Sequence, residues 1–310
     1  MRIAILGATS QIARDLVESF AANDTQTLVL YARRPLAVNE WLTRVNLSER
    51  FVAYGFDAFG LHEHFDAIMN FVGVGNPAQA AAMGASIIDV TLKFDDIALD
   101  YVRHHPTCRY IFISSGAAYG VSFDEPVDAN TRATVPINNL QPQDWYGVAK
   151  LHAECRHRSL AHLPIVDIRI FNYFSSTQDM EARFLITDIL RGIRDNTVLK
   201  TSSDYIVRDY LHPADFYQLV RMLLSAPAPN AAVDCYSLAP ITKSNLLTAM
   251  QKKFGLQYEI TQASVTVNTT GIKPHYYSLS TRAADFGYQP TLTSLEGIVQ
   301  EMQIILQDAP

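Results

Sequence analysis

A tyrosine and a lysine four residues apart, Tyr146 and Lys150 in DWYGVAK, have the chemistry needed for proton transfer. On a helix, side chains at this spacing share one face and can act on the same ligand. A free tyrosine has a pKa of about 10, and a neighbouring ammonium group favours the phenolate. Because this pair occurs by chance in many helices, its meaning depends on other residues nearby in the fold.

Ser114 and Ser115 strengthen this interpretation. They end the apolar run YIFISS at residues 110–115, which predicts a buried strand. A hydroxyl group at the end of that strand can orient a substrate oxygen for a proton donor. We therefore predict that Tyr146, Lys150 and one of these two serines form the catalytic group of an enzyme.

The turn GATSQIARDL directly follows the apolar run at residues 3–6. In a dinucleotide-binding turn, three glycines permit the bend, the approach of the pyrophosphate and the close packing of helix on strand. Gly7 keeps the first function, and the small residues Ser10 and Ala13 replace the other two glycines. The helix that follows presents free N–H groups to an anion. We predict that the dinucleotide is bound here by Gly7, Thr9, Ser10, Gln11 and Ile12.

The end of the second predicted strand indicates which dinucleotide is bound. Enzymes that prefer NAD have an acidic residue there for the ribose 2′-hydroxyl, whereas TLVLYARRP has Tyr31. Arg33 and Arg34 follow, and guanidinium groups suit a 2′-phosphate. We predict NADP as the cofactor, with NAD as the alternative, and place Asp57, after the third strand, at the adenine amino group.

The order of apolar and amphipathic segments predicts an α/β fold, a Rossmann-type doubly wound parallel sheet with helices on both faces. The predicted strands are residues 3–6, 27–32, 51–56, 67–73, 110–115 and 165–171, and the helices are residues 11–22, 78–85, 95–104 and 146–161. Further along we predict a strand at 197–201 and helices at 181–194, 213–224 and 295–306. We predict a dinucleotide-binding domain at residues 1–171 and a smaller carboxyl-terminal substrate domain at residues 172–310, with segments packing back on the first.

The composition argues against several classes of partner. The formal net charge is -6 and no basic stripe is present, so nucleic acid is not an expected partner. The three cysteines form no metal-like cluster. No apolar run approaches the roughly 20 residues needed to span a bilayer, and the first residues do not resemble a secretion signal. We expect a soluble cytoplasmic protein without a membrane partner or a metal.

Several motifs in order give the chain a family resemblance. Gly7 with its turn, Asp57, the serine motif SSGAAYG, the Tyr146 and Lys150 pair, RIFNYF and VRDYLHPADF together resemble the extended short-chain dehydrogenase/reductases. The resemblance is to their nucleotide-sugar epimerase, dehydratase and reductase branch. It implies a nucleotide-sugar substrate and commonly a homodimer formed by two helices of each subunit.

The same resemblance implies a role for each site residue. Tyr146 is expected to be the general acid/base, and Lys150 is expected to hold the nicotinamide ribose. Ser115 is expected to orient the sugar oxygen. Lys150 is also expected to lower the pKa of the tyrosine. Asn172 in RIFNYF and Arg208 in VRDYLHPADF are expected to meet the substrate diphosphate. Lys273 is expected to replace a cation that the family carries further along the chain.

Three reactions share such a site, and the residues favour one of them. A 4,6-dehydratase needs carboxyl groups after the catalytic hydroxyl, where this chain has Gly116 and Ala117. The pattern at Tyr31, Arg33 and Arg34 favours NADPH-dependent reduction of a 4-keto-6-deoxy sugar nucleotide. The alternatives are an NAD-dependent nucleotide-sugar 4-epimerase and a non-catalytic NADP-binding sensor or scaffold.

Overall fold

The computed structural model describes residues 1–23, 25–60, 63–74, 80, 82–227, 230–261 and 273–307. Eight α-helices lie in these residues: α1 (Gln11–Asn23), α2 (Pro35–Arg44), α3 (Ser86–His104), α4 (Trp145–Ser159), α5 (Leu185–Arg194), α6 (Pro213–Ser225), α7 (Lys243–Phe254) and α8 (Ser294–Gln307). The strands of the described residues begin with β1 (Arg2–Leu6), β2 (Thr27–Tyr31), β3 (Ala53–Tyr54), β4 (Ala67–Asn70), β5 (Arg109–Ser115), β6 (Ile165–Ile170) and β7 (Asn172–Tyr173). They continue with β8 (Leu199–Ser202), β9 (Val207–Arg208), β10 (Tyr210–Leu211), β11 (Ala231–Asp234), β12 (Ile241–Thr242), β13 (Tyr258–Thr261) and β14 (His275–Tyr276).

The central sheet has seven parallel strands in the spatial order β11, β6, β5, β4, β1, β2 and β3. Most residues on both faces of its strands are apolar and buried, as a parallel sheet between two helical layers requires. In β1, for example, Ile3, Ala4, Ile5 and Leu6 are all fully buried. The predicted doubly wound α/β fold is therefore confirmed.

The strand order reverses beside β1, which pairs with β2 on one side and with β4 on the other. In doubly wound sheets the ligand lies beyond the carboxyl ends of the strands at this point. The register aligns Leu6 with Tyr31 and with Asn70, and Asn70 with Phe112. The segments that follow these residues therefore meet at one edge of the sheet.

Several element boundaries differ from the predictions. Helix α3 begins at Ser86, nine residues before the predicted start, and β3 is a short strand of two residues. Helices α2 and α7 were not predicted, although Pro35 at the first turn of α2 and the buried Val38, Trp41 and Leu42 form a helical pattern. Of the predicted helix at residues 78–85, residues 78, 79 and 81 lie outside the described residues, and residues 80, 82 and 83 are helical.

The second half of the chain contributes to both parts of the fold. Strand β11 pairs with β6 in the central sheet, and α6 packs against α1. Helices α5, α7 and α8 enclose a separate core of buried apolar residues, among them Ile189, Leu247 and Met302. We propose that α6 and β11 are the segments that return to the dinucleotide-binding lobe, and that the rest of residues 172–310 forms the substrate lobe.

Candidate active site

The first turn of the site is fixed by Gly7. Its φ is +86°, a left-handed conformation that glycine adopts without strain, and a Cβ placed on it would lie 2.8 Å from the backbone nitrogen of Val72. The N–H of Gly7 donates to the carbonyl oxygen of Tyr31 at 2.9 Å, which joins the turn to β2. The bend therefore brings the start of α1 to the carboxyl edge of the sheet.

Helix α1 starts at Gln11, so the first N–H groups of the helix have no acceptor within it. Thr9 and Ser10, which precede it, are half-buried. The Gln11 side chain donates to Ser175 Oγ at 2.7 Å and so links α1 to the second half of the chain. Ile12 packs against the core. The free N–H groups at the start of α1 are suited to a pyrophosphate.

Tyr31 is not available to a cofactor through its side chain. The ring is fully buried and packs edge-on against Phe59 at 5.2 Å and Phe65 at 6.3 Å between centroids. The prediction that Tyr31 binds the cofactor is therefore wrong for the side chain. The buried strand has apolar residues on both faces, so its sequence pattern does not show which face Tyr31 takes.

An arginine cluster lies where α1, the end of β2 and α2 come together. Arg33 and Arg34 are exposed, and Arg34 precedes the first residue of α2. Arg14 in α1 has its guanidinium 5.3 Å from the centre of the Trp41 ring. Burial lowers the pKa of Arg14, and the charges of Arg44 and Arg34 lower it further, against the opposing charges of Asp15 and Glu18. Among the described residues, no carboxylate lies within ion-pair distance of these four arginines, so the cluster is suited to an anion.

Arg14 was missed by the sequence analysis, although its position in the first turn of α1 was visible. Its Nε atom is buried without a hydrogen-bond partner among the described residues, which marks an unused donor. Asp57 lies on the other side of β2, in the turn Phe56–Ala58, and its carboxylate is exposed. It stays a predicted adenine contact.

Ser115 and Tyr146 are brought together by a close approach of α4 to the end of β5. Gly147 permits it, because a Cβ there would lie 2.6 Å from the carbonyl oxygen of Ala117. Ser115 is buried, and its Oγ accepts the N–H of Ala117 at 3.2 Å. The predicted Y-x-x-x-K pair therefore starts a helix that packs directly on the serine segment.

Lys150 is buried one helical turn beyond Tyr146. Its ammonium donates to the carbonyl oxygen of Ile113 at 2.7 Å and lies 4.4 Å from the centre of the Phe112 ring. Burial lowers the pKa of Lys150 to about 8, against an opposing effect of Glu154 and other acids. The ammonium is 5.8 Å from the centre of the Tyr146 ring, so both groups face the same region.

The phenol of Tyr146 is more basic than a free tyrosine. Burial raises its pKa, and hydrogen bonding with Ser115 acts in the opposite direction. The expectation that Lys150 lowers this pKa is not met in the protein alone, because the ammonium is directed to Ile113. At neutral pH Tyr146 is therefore a protonated group, ready to act as an acid.

A buried network of charged groups holds α4 against the sheet. Glu154 accepts from Ser114 Oγ at 2.5 Å and pairs with Arg169. One turn further, His157 lies fully buried between Asp167 at 2.6 Å and Asp95 at 2.8 Å. Burial lowers the pKa of His157, but the two carboxylates prevail and raise it to about 9. These contacts fix the helix that carries Tyr146 and Lys150.

The predicted substrate residues are positioned by two small sheets. Strand β7 pairs with β10, and strand β9 pairs with β14 in a register that places Arg208 beside Tyr276. The amide nitrogen of Asn172 donates to the carbonyl oxygens of Asp209 at 3.1 Å and Tyr276 at 3.4 Å. Asn172 thus joins these segments, and its amide oxygen is the part that remains for a ligand.

Arg208 and Lys273 form a pair of cations without carboxylate partners among the described residues. Arg208 donates to the backbone carbonyl oxygens of Val207, Lys273 and Pro274. Burial and the charge of Arg208 lower the pKa of Lys273 to about 8, against the effect of Asp144. Lys273 also lines a cavity of about 270 Å³ beside the first turn of α4. The two cations can therefore attract an anionic substrate.

Tyr276 is the main site residue that the sequence analysis missed. Its hydroxyl lies 3.2 Å from Ser115 Oγ, and its ring lies 4.8 Å from the Lys273 ammonium and 5.8 Å from the Arg208 guanidinium. It therefore connects the catalytic serine with the two cations. The signal available was the aromatic motif HYYSL just after Lys273, in a segment otherwise noted only for its charge.

Comparison with known proteins identifies the family. The model of the NAD dependent epimerase/dehydratase family matches residues 3–239. The chain belongs to this family. It is an enzyme of the extended short-chain dehydrogenase/reductase type, which agrees with the site geometry and with the predicted resemblance. A comparison with curated protein sequences gives no significant match.

Several solved structures have a similar fold, and the similarity covers 99% of this chain. The UDP-glucuronic acid 4-epimerase from Bacillus cereus, in complex with NAD, is 16% identical with a TM-score of 0.76, over 99% of both chains. The dTDP-glucose 4,6-dehydratase from Bacillus anthracis, also with NAD, is 14% identical with a TM-score of 0.78, over 99% of this chain and 97% of that one. The UDP-glucose 4-epimerase from Thermotoga maritima, with UDP-glucose, is 16% identical with a TM-score of 0.76, over 99% of both.

Within the described part of the chain, no group of three His, Cys, Asp or Glu side chains could hold a metal ion. No described helix combines the length and the apolar character needed to cross a membrane. The polar groups of the described site are thus those at the carboxyl edge of the sheet and on the facing segments β9 and β14.

Proposed function

We propose that this enzyme uses NADPH to reduce the 4-keto group of a 4-keto-6-deoxy sugar attached to a nucleoside diphosphate. The observation that carries the proposal is the arginine cluster: Arg33 and Arg34 follow β2, where an NAD-preferring enzyme has a carboxylate, and the charges of Arg34 and Arg44 act on Arg14 in α1. Tyr146 keeps its proton at neutral pH, as the proton donor of a reduction must.

The residues around the first turn fit a dinucleotide. Gly7 permits the tight bend against the backbone of Val72, α1 offers unpaired N–H groups, and the buried Nε of Arg14 has no partner among the described residues. Arg14, Arg33 and Arg34 would hold the 2′-phosphate, and Lys150 would hold the nicotinamide ribose. When bound, NADPH supplies the hydride that the ketone carbon accepts.

The chain itself supplies the proton and the electrostatic stabilisation. In the proposed reaction Tyr146 donates its phenolic proton to the substrate oxygen as negative charge develops there. Ser115 donates a hydrogen bond to the same oxygen, and the nearby Lys150 ammonium stabilises the phenolate that remains on Tyr146. Arg208 and Lys273 bind the diphosphate, which no described carboxylate neutralises in advance.

The second candidate is an NAD-dependent nucleotide-sugar 4-epimerase. It is favoured by the similar solved structures, which include a UDP-glucuronic acid 4-epimerase with NAD and a UDP-glucose 4-epimerase with UDP-glucose. A dehydratase is disfavoured, because Gly116 and Ala117 carry no carboxyl group after the catalytic serine. The choice between reductase and epimerase depends on the cofactor.

The first test compares the affinities for NADPH and NADH by calorimetry. We expect wild-type protein to prefer NADPH and Arg34→Ala to lose about tenfold in NADPH affinity with little change for NADH, because only NADPH has the charged 2′-phosphate. Arg103→Ala, an exposed arginine of α3, is the matched control. A preference for NADH, unaffected by Arg34→Ala, would contradict the reductase proposal and favour the epimerase.

The second test separates catalysis from a sensor or scaffold role. NADPH oxidation is followed at 340 nm with dTDP-4-keto-6-deoxyglucose, and Tyr146→Phe is expected to reduce turnover by at least about a hundredfold while NADPH still binds. An active Tyr146→Phe protein would refute the mechanism. The homodimer stays a prediction, which analytical ultracentrifugation of the purified protein can test.

A further inference from the structure

Three hydroxyl groups meet between the two lobes of the molecule, those of Ser115, Tyr146 and Tyr276. Ser115 Oγ accepts the N–H of Ala117 at 3.2 Å, and the Tyr276 hydroxyl lies 3.2 Å from the same atom. Hydrogen bonding with Ser115 also lowers the pKa of the Tyr146 phenol, against the effect of burial. Ser115 is thus the shared member of the group.

The Tyr276 hydroxyl is held in place from several directions. Its ring packs edge-on against Phe123, with 4.8 Å between centroids, and against Phe171, with 5.2 Å. Its backbone pairs with Arg208 in the small sheet, and its carbonyl oxygen accepts from Asn172 at 3.4 Å. The position of the hydroxyl beside Ser115 therefore follows from packing and pairing that are independent of Ser115.

A serine hydroxyl has one proton to donate and two lone pairs to accept with. Ala117 occupies one lone pair of Ser115. We propose that Tyr276 is a positioning residue whose hydroxyl donates to the second lone pair, so that Ser115 can act on the substrate only as a hydrogen-bond donor. The expected effect of Tyr276 on turnover rests on the proposed reduction. The expected hydrogen bonding between Ser115 and Tyr146 does not depend on which reaction the enzyme catalyses.

Either hydroxyl can donate across this 3.2 Å contact, and in the proposed arrangement the donated proton is that of Tyr276. Burial raises the pKa of the Tyr276 phenol, while hydrogen bonding with Ser115 and with the backbone of Ala117 lowers it; the phenol keeps its proton at neutral pH and so has one to donate. With both lone pairs used, Ser115 cannot accept the phenolic proton of Tyr146. That proton is left for the substrate oxygen, and the Ser115 proton stabilises the charge that develops there.

The kinetic test is a double-mutant cycle of Tyr276→Phe and Ser115→Ala. The probe is NADPH with dTDP-4-keto-6-deoxyglucose. We expect Tyr276→Phe alone to lower kcat about three- to tenfold with KM unchanged, the size of one hydrogen bond. In the Ser115→Ala background the same change is expected to have no further effect. Tyr277→Phe is the matched control and is expected to leave both constants unchanged.

Two kinetic results would overturn the proposal. An equal loss of kcat in both backgrounds would show that the Tyr276 hydroxyl acts independently of Ser115. A lower KM with a higher kcat/KM in Tyr276→Phe would show that the hydroxyl obstructs the place of the substrate oxygen. The removal of one oxygen keeps the ring that packs on Phe123 and Phe171, and thermal unfolding checks that the variant is folded.

A substrate-independent test keeps the inference separate from the proposed function. The ionisation of Tyr146 is followed by tyrosinate absorbance near 295 nm, as the difference between each protein and the same protein with Tyr146→Phe. We expect Tyr276→Phe to raise the pKa of Tyr146 by about 0.5 to 1, because Ser115 is then free to accept instead of donating. An unchanged value would refute the inference. Absence of turnover in the wild type would refute only the proposed function.

Discussion

The buried charge of His157 makes a quantitative prediction about pH and stability. His157 is fully enclosed on α4 and contacts Asp95 and Asp167, while Arg156 and Arg158 pair with the outer oxygens of the same carboxylates. Burial opposes the charged imidazole, but the carboxylates raise its pKa from 6.5 to about 9. A shift of this size favours folding by about 3 kcal/mol at pH 6.

The sign follows from the direction of the shift. Because the folded-state pKa is above the unfolded value, the stabilisation is fully present below about pH 6.5 and is lost as the pH rises through about 9. The perturbation is His157→Gln, which removes the titrating group and keeps a polar side chain of similar size. The difference between the unfolding free energies of the two proteins should therefore fall by about 3 kcal/mol between pH 6 and 9.5.

Urea denaturation followed by circular dichroism at several pH values measures this difference. The buried Lys150 titrates in the same range with the opposite effect, but it is present in both proteins and cancels in the difference. His162→Gln, at an exposed histidine beyond α4, controls for the substitution itself. Parallel curves for wild type and His157→Gln across this range would refute the charged state of His157.

Two further substitutions test the cofactor turn and the cation pair. Gly7→Ala should lower the unfolding free energy by about 2 kcal/mol and weaken NADPH binding, because the φ of Gly7 is positive and a Cβ would meet Val72. Thermal unfolding with and without NADPH measures both effects. The control Gly60→Ala, where a Cβ would lie in open space, should change neither the stability nor the NADPH binding. Arg208→Met should raise KM for the sugar nucleotide about tenfold with NADPH affinity unchanged. Equal weakening of both ligands would contradict the assignment of Arg208 to the substrate.

The parts of the site that follow strands were predictable from the sequence. Gly7, Arg33 and Ser115 each follow or end an apolar run, and a parallel sheet places such positions at one edge. The spacing of Tyr146 and Lys150 identifies a shared helix face without further information. Local patterns and the rule for parallel strands are enough for these residues, because their neighbours are set by the regular geometry of the sheet.

The contacts between distant segments could not be predicted in this way. Tyr276 reaches Ser115 across 161 residues, through the pairing of the two-residue strands β9 and β14, and strands this short carry almost no periodic signal. The sequence also did not show that the Tyr31 side chain lies in the core. A strand that is buried on both faces has no alternation of apolar and polar residues to reveal which face a side chain takes. The direction of Lys150 toward Ile113 depends on the buried surroundings, which spacing alone does not describe.

The place of β11 at the edge of the central sheet has a consequence for synthesis on the ribosome. Strand β6 ends at Ile170, whereas its partner β11 begins at Ala231. At about 5–20 residues per second, on the order of 3–12 seconds pass before the partner strand emerges. During that interval β6 presents an unpaired apolar edge, the kind of surface that joins to other chains. Nascent chains are therefore most prone to aggregate after residue 170 and before residue 234 is made.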